Sequence, residues 1–191
     1  MRKSLEETIQ TRKRILEAAS SEFRSHGIGG TGLTGLMVAV GLTHGGFYRH
    51  FESKNEIVKE ACELSIDSLL SGLESAMASG SEGKGFESAV ACYLSARNRE
   101  DVAHSCPYAA LGSELARGDD QVRGIATTGL ERAVDLLGAQ LRNDSKDSER
   151  TRAMVALSTM VGALTLSRVA SSPAFSDEIL EAAAQHLVRA F

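Results

Sequence analysis

Tryptophan is absent from this 191-residue chain, proline occurs twice and cysteine three times. So few prolines leave long helices uninterrupted, and abundant Ala, Leu, Glu and Ser favour helices over strands. No stretch alternates apolar and polar residues over the length of a strand, and no internal repeat stands out, so the chain is expected to be all-α. Cys62, Cys92 and Cys106 form no CxxC pair and no framework spacing, which points to a reduced compartment. The opening "MRKSLEETIQTRKRIL" lacks an apolar core and carries Glu6 and Glu7, which excludes a secretory signal there. The uncharged run in the second half of the chain, residues 153–167, is 15 long and holds Ser158, Thr159, Thr165 and Ser167. It is too short and too polar to span a bilayer, so a cytoplasmic protein with no membrane partner is expected.

What is present is an ordinary globular composition, 42% hydrophobic and 24% charged, which excludes a disordered chain. The net charge of −4 is unevenly spread. Residues 1–60 hold nine Lys and Arg against seven Asp and Glu, while the remaining 131 hold twelve against eighteen. His26, His44 and His50 also fall in the first part. A mildly basic head on an acidic body is weak evidence for a head that faces nucleic acid.

Ser4 and Glu7 match a capping box that opens a first helix near Leu5, and "HG" at 26–27 stops it. Leu33, Leu36, Met37 and Val40 form a short second stripe ended by Gly41. Thr43 can cap a third helix of about two turns that ends near Phe51. Ser53 and Glu56 form another capping box, opening a long fourth helix. Three short helices with a glycine-containing junction between the second and third are what a helix-turn-helix needs. After "SGSEGKG" the periodicity predicts helices over Phe86–Arg97, Pro107–Arg117, about Asp120–Arg142, about Glu149–Ala170, and after Ser172. The third of these carries Val122, Ala126, Leu130, Val134, Leu137 and Leu141 on one stripe.

The stretch "TGLTGLMVAVGLTHGGFYRHFESKNEIV", together with "ILEAASSEFRSHG" before it, resembles the DNA-binding head of the TetR/AcrR family of bacterial regulators. The resemblance covers roughly residues 9–60. It implies a helix-turn-helix DNA-binding domain over 1–52, and a ligand-binding and dimerisation domain over 53–191. The implied fold is a three-helix head joined by a long helix to a helical body. The implied function is a ligand-responsive regulator, by family default a repressor, that binds a palindromic double-stranded operator as a homodimer. An unidentified small molecule or thiol-reactive compound would release it. Gly35, Met37 and Gly46 depart from the family's usual residues at those positions.

Phe47 and Phe51, four residues apart, share one helix face and are expected to fill the head's core. Tyr48 falls on another face, where its hydroxyl can reach a phosphate. The resemblance supports that role, and a phosphate role for His50. Lys54, at the start of the fourth helix, and Thr43, at the start of the third, combine polar groups with helix N-termini, which attract anions. Base reading falls to His44, Arg49, Thr34 and the exposed backbone at Gly45 and Gly46, with Arg49 able to fork onto guanine or hold a phosphate. Arg12, Lys13 and Arg14 are either further phosphate contacts or a solvated face.

In the body, the uncharged run 153–167 must be buried on more than one side. Pairing with a second copy accounts for it, with Ala156, Gly162 and Ala163 permitting close approach and the last helix adding Leu180, Ala183, Leu187 and Phe191. Pro107 at a first helical position places Cys106 at the N-cap, where the helix terminus would lower the thiol pKa. With His104 nearby, Cys106 is either a sensor or a small buried cysteine. Phe86, Cys92, Tyr93, Tyr108 and Leu111 either line a ligand pocket or belong to the core. "GSEGKG" fails the phosphate-loop pattern, and GxSxG, HExxH and paired Glu-x-x-His motifs are missing. No catalysis, metal or cofactor is therefore expected. A helical adaptor that binds only protein is the alternative, and it leaves the cluster at 41–51 without a use.

Overall fold

The computed structural model describes residues 5–141 and 148–191. The expected cap at Ser4 and the expected helix end at Arg142 lie outside the described residues. No strand occurs among the described residues. The head consists of α1 (Leu5–His26), α2 (Leu33–Ala39) and α3 (His44–Phe47), and α4 (Lys54–Ser79) leads out of it. The body adds α5 (Gly85–Tyr93), α6 (Ala96–Glu100), a 3₁₀ turn (Val102–His104), α7 (Pro107–Ala116) and α8 (Asp120–Gly138). It closes with α9 (Glu149–Val169) and α10 (Pro173–Ala190).

Short polar side chains start most of these helices. Ser53 accepts from the Glu56 N–H at 3.1 Å, Ser148 from Thr151 at 3.1 Å, and Asp119 from Val122 at 2.8 Å. Each satisfies an amide that the first helical turn leaves without a partner. Ser95 does the same for Asn98 and thereby splits the helix expected over Phe86–Arg97. Its hydroxyl also donates to the Cys92 carbonyl, and the Asn98 side chain donates to that of Tyr93. These local bonds replace the helix ladder at the junction, so α5 ends and α6 begins.

α4 is the central element, packing against α1 in the head and against α5, α7 and α8 in the body. The Ser65 hydroxyl donates to the Ala61 carbonyl at 2.7 Å, so the buried 2.8 Å contact between Ser20 and Ser65 has Ser20 as donor. That bond ties α1 to α4. Head and body share one continuous apolar cluster, from Ile15 and Phe23 through Ile57 and Ile66 to Leu164 and Leu187. The stripe expected on α8 is displaced at one position: Leu130 is 38% exposed, while Gly129 and Ala133 face the core.

Gly129 is where α8 crosses α4 most tightly. A Cβ placed there would come within 2.6 Å of Ile66 Cγ2 and collide with the Tyr108 hydroxyl, which donates to the Ala126 carbonyl at 2.8 Å. The crowding penalty of about 1–3 kcal/mol outweighs the roughly 1 kcal/mol of helix propensity that alanine gains over glycine. Gly129→Ala is therefore expected to lower the melting temperature measured by calorimetry. An unchanged or higher value would show that the crossing has slack.

Candidate nucleic-acid interface and body cavity

α2 and α3 are joined by a turn that needs Gly41, whose φ of 72° lies in the left-handed region. Leu42 N–H reaches back to the Met37 carbonyl at 2.8 Å and closes the turn. α3 is shorter than the two turns expected. It holds four residues, after which Arg49 N–H bonds Gly46 at 3.3 Å and His50 N–H bonds Phe47 at 2.9 Å, in the tighter i to i+3 pattern. Gly45 and Gly46 each weaken a helix by about 1 kcal/mol relative to alanine, so little holds a second turn. Packing holds the segment instead. Phe47 and Phe51 are buried, stacked with centroids 5.4 Å apart. The Arg12 guanidinium covers the Phe51 ring at 4.5 Å.

Around this anchor, Thr34, Thr43, His44, Gly45, Tyr48 and Arg49 are exposed on one end of the head, with Gly46 half-buried behind them. Tyr48 is 59% exposed, and its ring meets His44 edge-on at 5.8 Å and Phe47 at 5.3 Å. Those contacts orient the phenol while leaving its hydroxyl on the outside. Thr43 occupies the N-cap position without a side-chain capping bond. No described contact engages the Arg49 guanidinium. Val38 on α2 is 69% exposed and was not anticipated as part of this face. Its position off the Leu33–Leu36–Met37–Val40 stripe is the sequence signal for its exposure.

Other cations that the sequence placed near phosphates are committed within the fold. Lys54 Nζ donates to the Ile28 and Thr31 carbonyls at 2.8 and 2.7 Å, fastening the glycine-rich connection to α4. Arg12 pairs with Glu60 at 2.6 Å and Glu56 at 3.3 Å, and its Nε donates to the His50 carbonyl at 3.1 Å. Bonding to Glu60 raises the pKa of Arg12 above the usual arginine value. Arg14 donates to the Val40 carbonyl at 3.0 Å, and Lys13 lies 3.7 Å from Glu17. His50 is half-buried, with Nδ1 sealed from solvent.

In the body, a cleft of about 350 Å³ opens between α4 and the segment from Cys92 to Cys106. Cys92, Tyr93, His104 and Cys106 line it, as do Leu69, Leu73 and Ser105. Phe86, Tyr108 and Leu111 do not. Phe86 packs edge-on against Phe191 at 5.8 Å, Tyr108 bonds Ala126 on α8, and Leu111 is core. Cys106 does sit at the N-cap of α7 with Pro107 following, but it is only 1% exposed. Burial pushes its thiol pKa up. The Tyr93 hydroxyl and the backbone N–H groups of Ala109 and Tyr108 pull the other way and do not prevail. The expected lowering at the helix terminus is thus overturned by desolvation. His104 is exposed and directs Nδ1 to Asp101 at 2.8 Å, holding that carboxyl below its usual range.

The model of the bacterial regulatory proteins of the tetR family matches residues 15–61, which run from α1 to the first part of α4. Residues 15–61 therefore form a TetR-type head. The chain is 38% identical over 64 residues to the HTH-type transcriptional regulator AcrR of Shigella flexneri, covering 34% of this chain and 30% of that protein. It is 33% identical over 75 residues to the probable acrEF/envCD operon repressor of Escherichia coli K12, covering 36% and 34%. The matches thus span about a third of the length of these curated relatives. The fold as a whole matches a TetR transcriptional regulator from Chloroflexus aurantiacus J-10-FL, with a TM-score of 0.81 and 22% identity over 96% of this chain and 94% of that one. The reduced form of E. coli NemR gives a TM-score of 0.78 at 22% identity over 93% and 95%. The TetR-type head is therefore legible in sequence, and the body in shape.

The three cysteines differ sharply in access. Cys92 is exposed, Cys62 is buried with its pKa pushed up to about 11, and Cys106 is fully enclosed. Titration with an aromatic disulfide reagent at pH 8 is expected to modify one thiol quickly, lost in Cys92→Ser, and two only on unfolding. Rapid modification of Cys106 in the native protein would contradict the burial described.

Proposed function

We propose that the protein is a DNA-binding transcriptional repressor that sits on a palindromic operator as a homodimer and is released by a small-molecule effector. The observation that carries this reading is the exposed face made by Thr34, Thr43, His44, Tyr48 and Arg49 at the end of a helix-turn-helix head. Tyr48 and Thr43 position the head on phosphates, and Arg49 and His44 reach base edges. The exposed backbone at Gly45 lets α3 approach the groove closely. Lys54 and His50 support that face from behind. One relative is a probable operon repressor, which supports repression over activation.

The head, taken as residues 1–52, needs a second copy to read two half-sites one helical turn apart, roughly 34–36 Å. α9 and α10 supply the surface for it. Val155, Leu166, Val169 and Phe175 are between 51% and 75% exposed there, an amount of apolar surface that marks association. Gly162, with nothing within 4 Å of its Cβ position, leaves room for a partner helix. The effector acts from the body, residues 53–191, through α4. Burial of Cys106 favours reversible binding over reaction at that thiol.

Fluorescence anisotropy with DNA flanking the coding region, over a salt series, tests the reading. Binding is expected to depend on a palindrome and to weaken steeply with salt. Arg49→Ala is expected to lose about tenfold or more in affinity without a change in melting temperature. Tyr48→Phe is expected to weaken all sequences alike. If selection from a random DNA library also yields no preferred sequence, the regulator reading fails. Separately, Leu166→Glu is expected to shift the protein from dimer to monomer in sedimentation and to weaken operator binding. A variant that stays dimeric would place the interface elsewhere.

A further inference from the structure

Among the described residues, Tyr93 Oη and one terminal nitrogen on each of Arg24 and Arg168 are buried without a hydrogen-bond partner. All three side chains stand within electrostatic reach of Cys106. A buried guanidinium is costly unless a carboxylate compensates it. Arg99, Arg132 and Arg150 each have such a carboxylate. Arg24 does not. It is 6% exposed and gives Nε to the Ala103 carbonyl at 2.6 Å, while Asp101, the carboxylate acting on it from further off, is engaged with His104. Arg168 donates only to neutral acceptors: the Arg99 and Asn98 carbonyls at 3.1 and 2.9 Å and the Ser105 hydroxyl at 2.6 Å. Arg24 of the head is thus buried, and Arg168 of the body half-buried, with no ion-paired carboxylate among the described residues.

Both lie behind one wall of the cleft beneath α4. Ser105, which accepts from Arg168, lines that wall beside Tyr93 and Cys106. The buried Tyr93 hydroxyl faces the Cys106 sulfur, a weak acceptor, and has no other partner. Leu69 and Leu73 supply the apolar side, and the volume of about 350 Å³ suits a small molecule. We propose that this cleft binds a small organic carboxylate, with its apolar body against Leu69 and Leu73 and its charge toward Tyr93, Ser105 and the two guanidiniums. The assignment deepens the effector-responsive reading above and rests on it for its regulatory meaning. Ala103, whose carbonyl holds Arg24 of α1, sits in the 3₁₀ turn between the lining residues Asp101 and His104. A ligand that moves this turn pulls on the helix carrying Ile15 and Phe23 of the head's core.

Thermal unfolding of the full chain tests the assignment with matched pairs at equal concentration and ionic strength: benzoate and benzamide, phenylacetate and phenylacetamide, hexanoate and hexanamide. At least one carboxylate is expected to raise the melting temperature by about 2–4 °C over its amide. The shift should vanish in Tyr93→Phe, whose own ligand-free melting temperature is unchanged or higher because an unsatisfied buried hydroxyl is gone. No difference between carboxylates and amides across the panel overturns the proposal, as does a Tyr93→Phe variant that keeps the full shift. The assay contains no DNA. A carboxylate-specific shift in a protein with no preferred DNA sequence would therefore sink the regulator reading and leave the cleft assignment standing.

Discussion

The head depends on two phenylalanines being driven into it from an otherwise weak segment. Phe47 and Phe51 stack on each other beneath the Arg12 guanidinium, which is itself clamped by Glu56 and Glu60 of α4. Full burial of a phenylalanine is worth about 1.5–3 kcal/mol, enough to offset two glycines in a helix of one turn. With those rings fixed inward, the residues between and before them have nowhere to go but out. Tyr48, Arg49 and His44 form an outer face because Phe47 and Phe51 form an inner one.

The same competition between local preference and burial decides the chemistry of the body. Cys106 has the helix N-terminus that ordinarily makes a thiolate, yet desolvation outweighs it and leaves a thiol. Arg24 and Arg168 lie close by, their pKa values pulled below the usual arginine value by burial. A neutral sulfur beside two uncompensated cations describes a place prepared for charge brought from outside, rather than for a nucleophile. Arg24 belongs to α1 and Ala103 to the body, so their hydrogen bond also makes this region a junction of the two parts of the molecule.

Much of this was legible along the chain. The caps at Ser53 and Pro107, the stop at Gly41, the all-helical layout and the head's family were readable because each depends on residues a few positions apart. Cys92, Tyr93, His104 and Cys106 line one cleft because they flank a single short stretch. Phe86, Tyr108 and Leu111 lie in the core, one of two readings the sequence leaves open, because an apolar or aromatic residue near a pocket and one in the core look alike until the facing helix is known. Lys54 looked like a phosphate contact because its two carbonyl partners lie 23 and 26 residues earlier.

The sequence by itself determined the start of α4, the stop at Gly41 and which residues cluster at 41–51, since capping, glycine conformation and periodicity are local properties. Tertiary structure alone decided which charges stay available. Arg12, Lys54, Arg24 and Arg49 are indistinguishable as isolated cations. Long-range packing ties Arg12 to α4 and Lys54 to the glycine-rich connection, buries Arg24 against the body, and leaves Arg49 in solvent. Burial and electrostatic partnership are properties of position in space, and a linear pattern holds neither.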